Sequence, residues 1–372
     1  MNLVYDFSIF GQRYGGISRY FHEVIRRIAN DQDLNVYLFQ GLYANEYPLN
    51  LYRNKYRFYF GFKRPVIPKT NRVFNRINEL LFRVYLDMNK LDRPVYHPTY
   101  YLKNLKDIKN SVKVVLTVYD LICELYPAEF RNARKEIENK KTSINRADHI
   151  ICLSESTKRD LTKFYKIPEG KISVIYLGSS LETDNIREDI NSNITIPRPY
   201  ILYIGHRRTA YKNFNLLLDA FIKGAFYKDF DLLCFGSGKF TQQELKYFKL
   251  HNIINSIHYC EGDDSFLANT YRNATCLVYP SLYEGFGLPV LEAMSQGCPV
   301  IASNTSSISE IVGDAAILFD PSSADSLIES LRRLLYSSEI PEVLSDAGYI
   351  QAAKFDWDIT AQKTLQIYKA LI

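Results

Sequence analysis

Strand-like apolar runs alternate with helix-like periodic segments from one end of the chain to the other. This alternation is typical of βα units whose strands form a parallel sheet and whose helices cover its faces. In the first half it predicts strands at residues 2–7, 35–39, 95–97, 113–118 and 149–153, and helices at 17–29, 72–89, 134–146 and 155–164. In the second half it predicts strands at 200–204, 231–235, 256–260, 275–279 and 299–302, and helices at 213–221, 266–273, 289–295 and 324–335. The pattern therefore predicts an α/β protein with two parallel sheets.

A polar segment separates the two series. Residues 181–199, LETDNIREDINSNITIPRP, are rich in Asn and Asp and end in Pro-Arg-Pro, which is typical of a linker. We therefore predict an N-terminal domain over residues 1–180 and a C-terminal domain over residues 200–355. A last amphipathic helix, within residues 356–372, is expected to pack back toward the N-terminal domain. Two doubly wound, Rossmann-like domains of this kind would face a central cleft at the carboxyl ends of their strands.

Length and composition agree with a two-domain globular protein. The chain has 372 residues, of which 47% are hydrophobic and 23% charged, and its mean hydropathy is −0.20. These values exclude disordered, collagen-like and coiled-coil chains, and no run reaches the roughly 18 apolar residues of a membrane-spanning helix. The first ten residues lack the features of a secretory signal, so we expect a cytoplasmic protein. Six single cysteines without a CxxC pair argue against zinc or disulfide frameworks.

The most informative stretch is residues 279–300, YPSLYEGFGLPVLEAMSQGCPV. A predicted strand runs into a Gly-Phe-Gly turn, and Pro289 stands at the first helical position. Glycines let a backbone approach a ligand closely, and a helix N-terminus offers amides and a positive dipole end to an anion such as a diphosphate. Glu284 precedes the turn and Glu292 follows it, so both carboxylates can face one pocket. On the glycines alone, an ordinary βα turn with two solvated glutamates fits equally well.

The whole stretch resembles the E-x7-E signature of the retaining glycosyltransferases of family 4, the group 1 glycosyltransferases of bacterial cell-surface polysaccharide synthesis, which have the GT-B fold. Glu284 and Glu292 stand at its two acidic positions. The resemblance implies that Glu284 binds the donor sugar hydroxyls and stabilises the cationic transition state, while Glu292 accepts hydrogen bonds from the ribose. It also implies that the leaving diphosphate binds to backbone amides of the turn, namely Gly285, Phe286, Gly287 and Leu288.

Other segments carry the same resemblance. The segment YILYIGHRRTAYKN looks like a family element that would place Arg207 and Lys212 against the donor diphosphate. The segment RYGGISRYF is similar to the family's N-terminal Gly-Gly loop, in which the amides of Gly15 and Gly16 would close over the phosphate and the acceptor. Without the family context, these segments read as a solvated basic loop and a plain strand-to-helix turn. The blocks LSESTKRDL and NTSSISEIVGDAAILFDP match as well, so the resemblance covers nearly the whole chain.

One further block, YDLICELYP, departs from the family pattern. The family usually carries His before the Asp of this block, beside the donor sugar, whereas this chain has Tyr119 before Asp120. Tyrosine keeps a hydroxyl for hydrogen bonding but does not titrate near neutral pH. Three interpretations stay open: Tyr119 positions the sugar, Asp120 takes a larger part in orienting it, or Tyr119 is an aromatic side chain packed at a strand end.

Signatures of other chemistry are weak. No GxGxxG follows the first strand, which argues against a nicotinamide or flavin enzyme. The sequence GSGKF at residues 236–240 lacks the GxxxxGK[ST] spacing, so we interpret it as a loop that lines the nucleotide pocket. The Asp-x-Asp triplets and the six histidines show no metal-ligand spacing. We therefore predict no metal and no cofactor beyond the nucleotide-sugar substrate.

Positive charge is concentrated in residues 43–90. This region has ten basic and three acidic residues, a net charge of +7, while the whole chain carries +5. Aromatic residues are interleaved with the cations, among them Tyr52, Tyr56, Phe58, Tyr59, Phe60 and Phe62. Such a patch could dock on anionic lipid headgroups, where each cation contributes roughly 1 kcal/mol. The other interpretations are a solvated insertion whose aromatics pack on the first domain, and a nucleic-acid surface.

Together these features predict a retaining, metal-independent glycosyltransferase that moves a hexose from a nucleotide-diphosphate sugar to a glycan acceptor. The first candidate donor is GDP-mannose, with UDP-hexoses next. We expect a lipid-linked acceptor of O-antigen or capsule type, at the inner face of the cytoplasmic membrane, and no nucleic acid. The resemblance implies a same-face attack with the leaving phosphate as base, so no nucleophile is assigned. The alternatives are a sugar-nucleotide epimerase on the same fold and a non-catalytic protein that binds sugar nucleotides or nucleic acid.

Overall fold

The structure is a computed structural model that describes residues 1–67, 70–89, 91–102, 111–179, 181 and 198–372. The chain forms two units. Unit 1 comprises Met1–Gly178 and Asp356–Ile372, and unit 2 comprises Ser179–Phe355. Most of the predicted linker, residues 182–197, lies outside the described residues.

Unit 1 is built on a parallel sheet that has, within the described residues, seven strands in the order β3-β2-β1-β4-β5-β6-β7. The strands are β1 (Asn2–Tyr5), β2 (Asn35–Tyr43), β3 (Phe58–Lys63), β4 (Val95–His97), β5 (Lys113–Val118), β6 (His149–Cys152) and β7 (Ile172–Val174). The helices before the unit boundary are α1 (Gly16–Ile28), α2 (Asn71–Asn89), α3 (Ile122–Leu125), α4 (Ala133–Arg146) and α5 (Glu155–Tyr165). Ser154 caps α5 by accepting a hydrogen bond from the Thr157 amide, as its place before the predicted helix indicates.

Unit 2 has a second parallel sheet, with six strands in its described part and the order β10-β9-β8-β11-β12-β13. The strands are β8 (Tyr200–Ile204), β9 (Asp231–Phe235), β10 (Ile257–Cys260), β11 (Cys276–Tyr279), β12 (Val300–Ser303) and β13 (Ile317–Phe319). The helices are α6 (Phe214–Lys223), α7 (Gln242–Leu250), α8 (Asp264–Arg272), α9 (Leu288–Ser295), α10 (Ile308–Val312), α11 (Ala324–Leu335) and α12 (Ile340–Ala352). The prediction of two parallel-sheet, Rossmann-like domains is confirmed.

Strand order decides where each unit can hold a ligand. In unit 2 the chain runs outward from β8 to β9 and β10, then returns to β11 on the other side of β8. In doubly wound sheets, a crevice forms outside the carboxyl ends of the two strands where this reversal occurs. The loops after β8 and β11 are therefore the expected ligand-binding loops of unit 2, and those after β1 and β4 are the corresponding loops of unit 1.

The last helix of the chain, α13 (Trp357–Ala370), belongs to unit 1 and packs against α1. Its fully buried Tyr368 places its hydroxyl 3.0 Å from the hydroxyl of Tyr5 and 2.5 Å from Nδ1 of His97. The other ring nitrogen, Nε2 of His97, lies 2.9 Å from Oγ1 of Thr117. A buried hydrogen-bond network thus joins α13 to the ends of β1, β4 and β5.

Burial of His97 makes the stability of the protein depend on pH. Desolvation lowers the pKa of His97 to about 3 in the folded chain, against 6.5 for an unperturbed histidine. As the pH falls, the unfolded chain therefore binds a proton at His97 before the folded chain does. The stability that the folded state gains from holding His97 neutral is complete above about pH 6.5 and is lost as the pH falls from 6.5 toward 3. Between pH 7.5 and 5.0 we expect a loss of about 2 kcal/mol in the free energy of unfolding. Urea unfolding of the wild type and His97→Gln at both pH values tests this. If the variant loses as much stability between the two pH values as the wild type does, groups other than His97 cause the pH dependence.

Candidate functional site

An ion pair joins two sequence motifs in unit 2, at the carboxyl ends of β8 and β11. Nζ of Lys212, after β8, lies 2.6 Å from Oε1 of Glu284, after β11. Their side chains are 16% and 10% exposed. The same Nζ lies 3.4 Å from the hydroxyl of Tyr279, the last residue of β11. The pair therefore sits at the strand reversal, where the fold is expected to hold a ligand.

The backbone after β8 directs Lys212 toward this position. Gly205 has a φ of +150°, and a Cβ atom there would lie 3.2 Å from the hydroxyl of Tyr203 and 3.6 Å from Cδ of Lys212. Asn213 adopts the left-handed region with a φ of +53°, and its Nδ2 donates to the carbonyl of Pro321 at 2.9 Å. Asparagine tolerates this conformation better than most residues. The glycine and the asparagine on either side thus fix the loop that presents the lysine.

Two serines hold the backbone that carries Glu284. The Glu284 amide donates to Oγ of Ser306 at 2.9 Å. The hydroxyl of Ser307 lies 2.8 Å from the carbonyl of Glu284 and 2.9 Å from that of Phe286. These serines belong to the block NTSSISEIVGDAAILFDP, which resembles a family block as a whole. The sequence does not indicate that Ser306 and Ser307 in particular hold the Glu284 backbone, and their hydrogen bonds in the structure show it.

The turn after Glu284 leads directly into α9. Gly287 precedes the helix with a φ of +108°, which favours glycine, and Pro289 lies in the first turn. Gly285 and Phe286 are buried, while Leu288, the first residue of α9, is half-buried. The first amides of a helix have no partner within the helix and lie at its positive end. The chemistry of this turn therefore suits an anion, and the assignment of its amides to the donor diphosphate stays a prediction.

Glu292, the second acid of the motif, lies within α9 and is buried. The hydroxyl of Tyr271, on α8, donates to its Oε2 at 3.1 Å. The chain thus places both acids of the motif at the β11–α9 connection, each with a hydrogen-bond donor from another part of unit 2. The assignment of Glu292 to the ribose stays a prediction.

Arg207, after β8, is buried and hydrogen-bonded within unit 2. Its side chain is 1% exposed, and its Nε donates to Oε1 of Glu244 at 2.8 Å. Its two terminal nitrogens donate to the carbonyls of Gly236 and Gly238 at 3.0 and 2.7 Å, and the guanidinium lies over the ring of Phe240. The guanidinium is thus enclosed and holds the Gly236–Gly238 loop, and its assignment to the donor diphosphate stays a prediction.

The neighbouring Arg208 is exposed, which gives a matched pair of variants. Arg207→Ala should lower the free energy of unfolding by about 2 to 4 kcal/mol, because it leaves the partly buried Glu244 and two carbonyls without their partner. Arg208→Ala should change it by less than about 0.5 kcal/mol. Thermal unfolding without nucleotide measures both, and equal effects of the two substitutions would contradict the structural role of Arg207.

Tyr119, in unit 1, is a packed side chain. It is 4% exposed, its hydroxyl donates to the carbonyl of Thr99 at 3.0 Å, and its ring stacks on that of Tyr100. Burial raises the pKa of Tyr119 well above its usual range. Of the three interpretations, these contacts favour aromatic packing at a strand end, and a catalytic role of Tyr119 stays a prediction.

Asp120, which follows β5, is half-buried. Its Oδ1 accepts a hydrogen bond from the Ile122 amide at 3.0 Å, and its carbonyl accepts one from Nζ of the buried Lys140 at 2.9 Å. Lys140 in turn lies 2.7 Å from Oε2 of Glu124. Asp120 is therefore held in place by the first residue of α3 and by α4, and its orienting role stays a prediction.

The Gly-Gly loop leads into α1, whose first residue is Gly16. A Cβ atom on Gly15 would lie 2.4 Å from Nε2 of Gln12, so this position is too crowded for a side chain unless Gln12 moves. The Gly15 carbonyl accepts hydrogen bonds from the Ser18 hydroxyl and the Arg19 amide at 2.9 and 3.0 Å. The loop is thus built as a strand-to-helix turn whose helix N-terminus follows β1.

In the part of the chain that is described, no group of three or more His, Cys, Asp or Glu side chains could hold a metal ion. None of the helices among these residues is long and apolar enough to cross a membrane.

Two family models match the chain. The model described as Glycosyltransferase Family 4 matches residues 14–183, and the model described as Glycosyl transferases group 1 matches residues 185–351. Together with the two parallel sheets and the acid–lysine pair, these matches define the class of the protein as a glycosyltransferase of GT-B architecture. The chain belongs to the family 4, or group 1, glycosyltransferases, which confirms the resemblance seen in its sequence.

Curated relatives and solved structures agree with this assignment. The chain is 26% identical to O-antigen chain mannosyltransferase B of Escherichia coli over 382 residues, 96% of each chain. It is 28% identical to O-antigen chain mannosyltransferase RfbU of Salmonella typhimurium over 250 residues, 65% of each chain. Sucrose-phosphate synthase from Thermosynechococcus elongatus has a TM-score of 0.78 at 20% identity, covering 100% of this chain and 99% of that one. The lipopolysaccharide glycosyltransferase WaaG has a TM-score of 0.70 at 16% identity, covering 99% of each.

Proposed function

We propose that the protein is a retaining mannosyltransferase of polysaccharide synthesis that uses a nucleotide-diphosphate sugar, with GDP-mannose as the first candidate donor. The observation that carries this proposal is the Lys212–Glu284 pair beside the N-terminus of α9. The choice of mannose is supported by the two O-antigen mannosyltransferases among the relatives. The proposed acceptor is a glycan, linked to a lipid carrier.

The pair divides the charges of the transition state between two partners. When the bond from the anomeric carbon to the diphosphate breaks, its electron pair leaves with the phosphate oxygen, and positive charge develops on the sugar. Lys212 and the start of α9 would stabilise the negative charge, and Glu284 the positive charge. Because each group is already positioned by the other and by the fold, little reorganisation is needed when these charges appear.

The proposed stereochemical outcome is retention. The acceptor hydroxyl would attack the anomeric carbon on the face from which the diphosphate leaves, and its proton would pass to the leaving phosphate oxygen. No enzyme carboxylate is needed as nucleophile in this scheme. We also propose that no divalent metal is required, because the lysine and the helix N-terminus supply positive charge at the diphosphate.

The donor proposal is tested by thermal unfolding with EDTA present, against GDP, UDP, CDP, dTDP and ADP and their common sugar conjugates. A ligand that binds only the folded protein stabilises it by about 2.7 kcal/mol at a hundredfold excess over its dissociation constant. We expect the largest shift with GDP and GDP-mannose. A larger shift with another nucleotide would identify its sugar conjugate as the donor in place of GDP-mannose. No shift with any nucleotide would contradict the proposal.

The transfer itself is tested by incubating the protein with the identified donor and a water-soluble mannose-containing acceptor. An α-linked product from an α-linked donor, identified by nuclear magnetic resonance, would support retention. Conversion of the donor to an isomer without a glycosidic product would instead indicate an epimerase.

A further inference from the structure

A buried hydroxyl in unit 2 is left without a hydrogen-bond partner. Tyr203 lies in β8, is 1% exposed, and packs its ring against that of Phe214 in the core. Among the residues that the structure describes, none forms a hydrogen bond with its hydroxyl. A buried hydroxyl in this state costs stability, whereas the ring of a phenylalanine would fill the same space without that cost. Packing alone therefore does not explain why the side chain carries a hydroxyl.

The hydroxyl of Tyr203 lies near Lys212, at the carboxyl end of β8. A Cβ atom on Gly205 would lie 3.2 Å from this hydroxyl and 3.6 Å from Cδ of Lys212. The bare Cα of Gly205 therefore faces both groups, and a ligand atom could stand there in place of a side chain. The hydroxyl of Tyr279, on the neighbouring strand β11, lies 3.4 Å from Nζ of Lys212. Of these two buried tyrosines beside the lysine, Tyr279 has a partner and Tyr203 does not.

Tyr203 keeps its proton at physiological pH. Burial is the main reason that the pKa of Tyr203 is raised well above its usual range, and the neighbouring Cys234 and Glu284 raise it further. A protonated phenol can donate a hydrogen bond. Because the Lys212 ammonium attracts anionic oxygens to the same place, the expected acceptor is an anion. Hydrogen bonds to an ionised acceptor are also stronger than those between neutral groups.

We infer that the hydroxyl of Tyr203 donates a hydrogen bond to an oxygen of the donor's diphosphate. The inference rests on the proposed function, because it adds a residue to the proposed donor site. In the structure, Nζ of Lys212 is paired with Glu284, and the lysine chain lies close to Gly205. When Nζ turns from Glu284 to the diphosphate, the lysine chain moves with it and a phosphate oxygen takes the place beside Gly205. Binding of the donor thus supplies the missing partner.

This arrangement favours binding of the diphosphate for two reasons. The hydroxyl of Tyr203 is already removed from water, so it loses no hydration when the ligand arrives. Its ring is held by the core, with the ring centre 4.7 Å from that of Phe214, so little side-chain freedom is lost. The stability that the buried hydroxyl costs the free protein is therefore recovered in the complex.

Tyr203→Phe tests the inference, because it removes the hydroxyl and keeps the ring. Its affinity for GDP and for GDP-mannose, measured by calorimetry, should fall about tenfold, the usual effect of losing a hydrogen bond to a charged group. The two ligands should lose affinity by the same factor, since both carry the diphosphate. Without ligand, the variant should melt at the same temperature as the wild type or higher, because no buried hydroxyl is then left without a partner.

The matched control is Tyr85→Phe. Tyr85 lies in α2 of unit 1 and is 5% exposed, and its hydroxyl is likewise buried without a partner among the described residues. This variant should also melt no lower than the wild type, but it should bind GDP with unchanged affinity. The two variants together separate the loss of a buried hydroxyl in general from its loss at the donor site.

Three results would overturn the inference while the wild type binds GDP. One is unchanged affinity of Tyr203→Phe for GDP, and another is a loss confined to GDP-mannose, which would place the hydroxyl at the sugar. The third is a lower melting temperature of the unliganded variant, which would show that the hydroxyl is already hydrogen-bonded in the free protein.

Failure of the proposed function gives a different result. The wild type would then bind GDP-mannose without forming a glycosidic product, while the tenfold loss of affinity in Tyr203→Phe would remain. If the wild type binds no nucleotide at all, both the proposed function and this inference are wrong.

Discussion

Glu284→Gln is expected to lower turnover by about a hundredfold to a thousandfold, the usual effect of removing one electrostatic stabiliser of a transition state. The substitution keeps the shape of the side chain and an oxygen that can accept the hydrogen bond from Lys212. It removes the negative charge that would face the cationic sugar. Nucleotide affinity should stay within about threefold, because the diphosphate and base do not depend on that charge. Steady-state kinetics and calorimetric binding of the nucleoside diphosphate measure the two effects separately.

The matched control for this experiment is Glu329→Gln, an exposed glutamate on α11 in the same unit. It should leave both turnover and binding unchanged. An equal loss of turnover and nucleotide affinity in Glu284→Gln would mean that the carboxylate binds the nucleotide and that its assignment to the sugar is mistaken. Wild-type turnover in the variant would remove Glu284 from the reaction altogether.

Lys140→Met is expected to destabilise the protein by about 3 to 5 kcal/mol, because it leaves a buried carboxylate without its cation. The side chains of Lys140 and Glu124 are 3% and 5% exposed, and Nζ lies 2.7 Å from Oε2. The other carboxylate oxygen accepts a hydrogen bond from the hydroxyl of Tyr165 at 2.5 Å. Urea unfolding measures the effect, and the adjacent, exposed Lys141 gives the control substitution Lys141→Met, which should be nearly neutral.

A double variant separates the ion pair from the packing around it. Lys140→Met combined with Glu124→Gln should recover much of the lost stability, since no charge is then left buried without a partner. If Lys140→Met is no more harmful than Lys141→Met, the pair contributes nothing to stability. If the double variant is worse than the sum of its single substitutions, lost packing rather than the unpaired charge explains the result.

The interior of both sheets could be predicted closely from the sequence. Strands such as β4, β5, β8 and β9 agree with their predicted bounds because they are buried apolar runs between polar turns. The edge strand β3 was not predicted, since its exposed aromatic residues and flanking cations resemble a surface patch. The short β7 and β13 have three residues each, too few to show a period. The helix α12 was not predicted either, because Gly348 interrupts its apolar pattern.

The candidate site could be predicted less completely, because adjacent residues of one type take different environments. Nothing in the sequence HRR distinguishes Arg207, which turns inward to Glu244, from the exposed Arg208. The sequence also does not show that the hydroxyl of Tyr119 donates to the carbonyl of Thr99. Both contacts join residues 20 or more positions apart, and such contacts depend on the tertiary fold. The Lys212–Glu284 ion pair was not predicted as such, although each partner belongs to a motif that the sequence assigns to the donor site.

The return of α13 to unit 1 has a consequence for the order in which a newly made chain can fold. Unit 2 is one continuous stretch, Ser179–Phe355, whereas unit 1 needs Asp356–Ile372 as well as Met1–Gly178. During translation the ribosome therefore releases all of unit 2 before the segment with Tyr368, which completes the network around His97. Until Asp356–Ile372 has been made, the first half of the chain has its α13 site uncovered. A chain truncated after residue 355 should thus expose apolar surface that chaperones bind, although all of unit 2 is present.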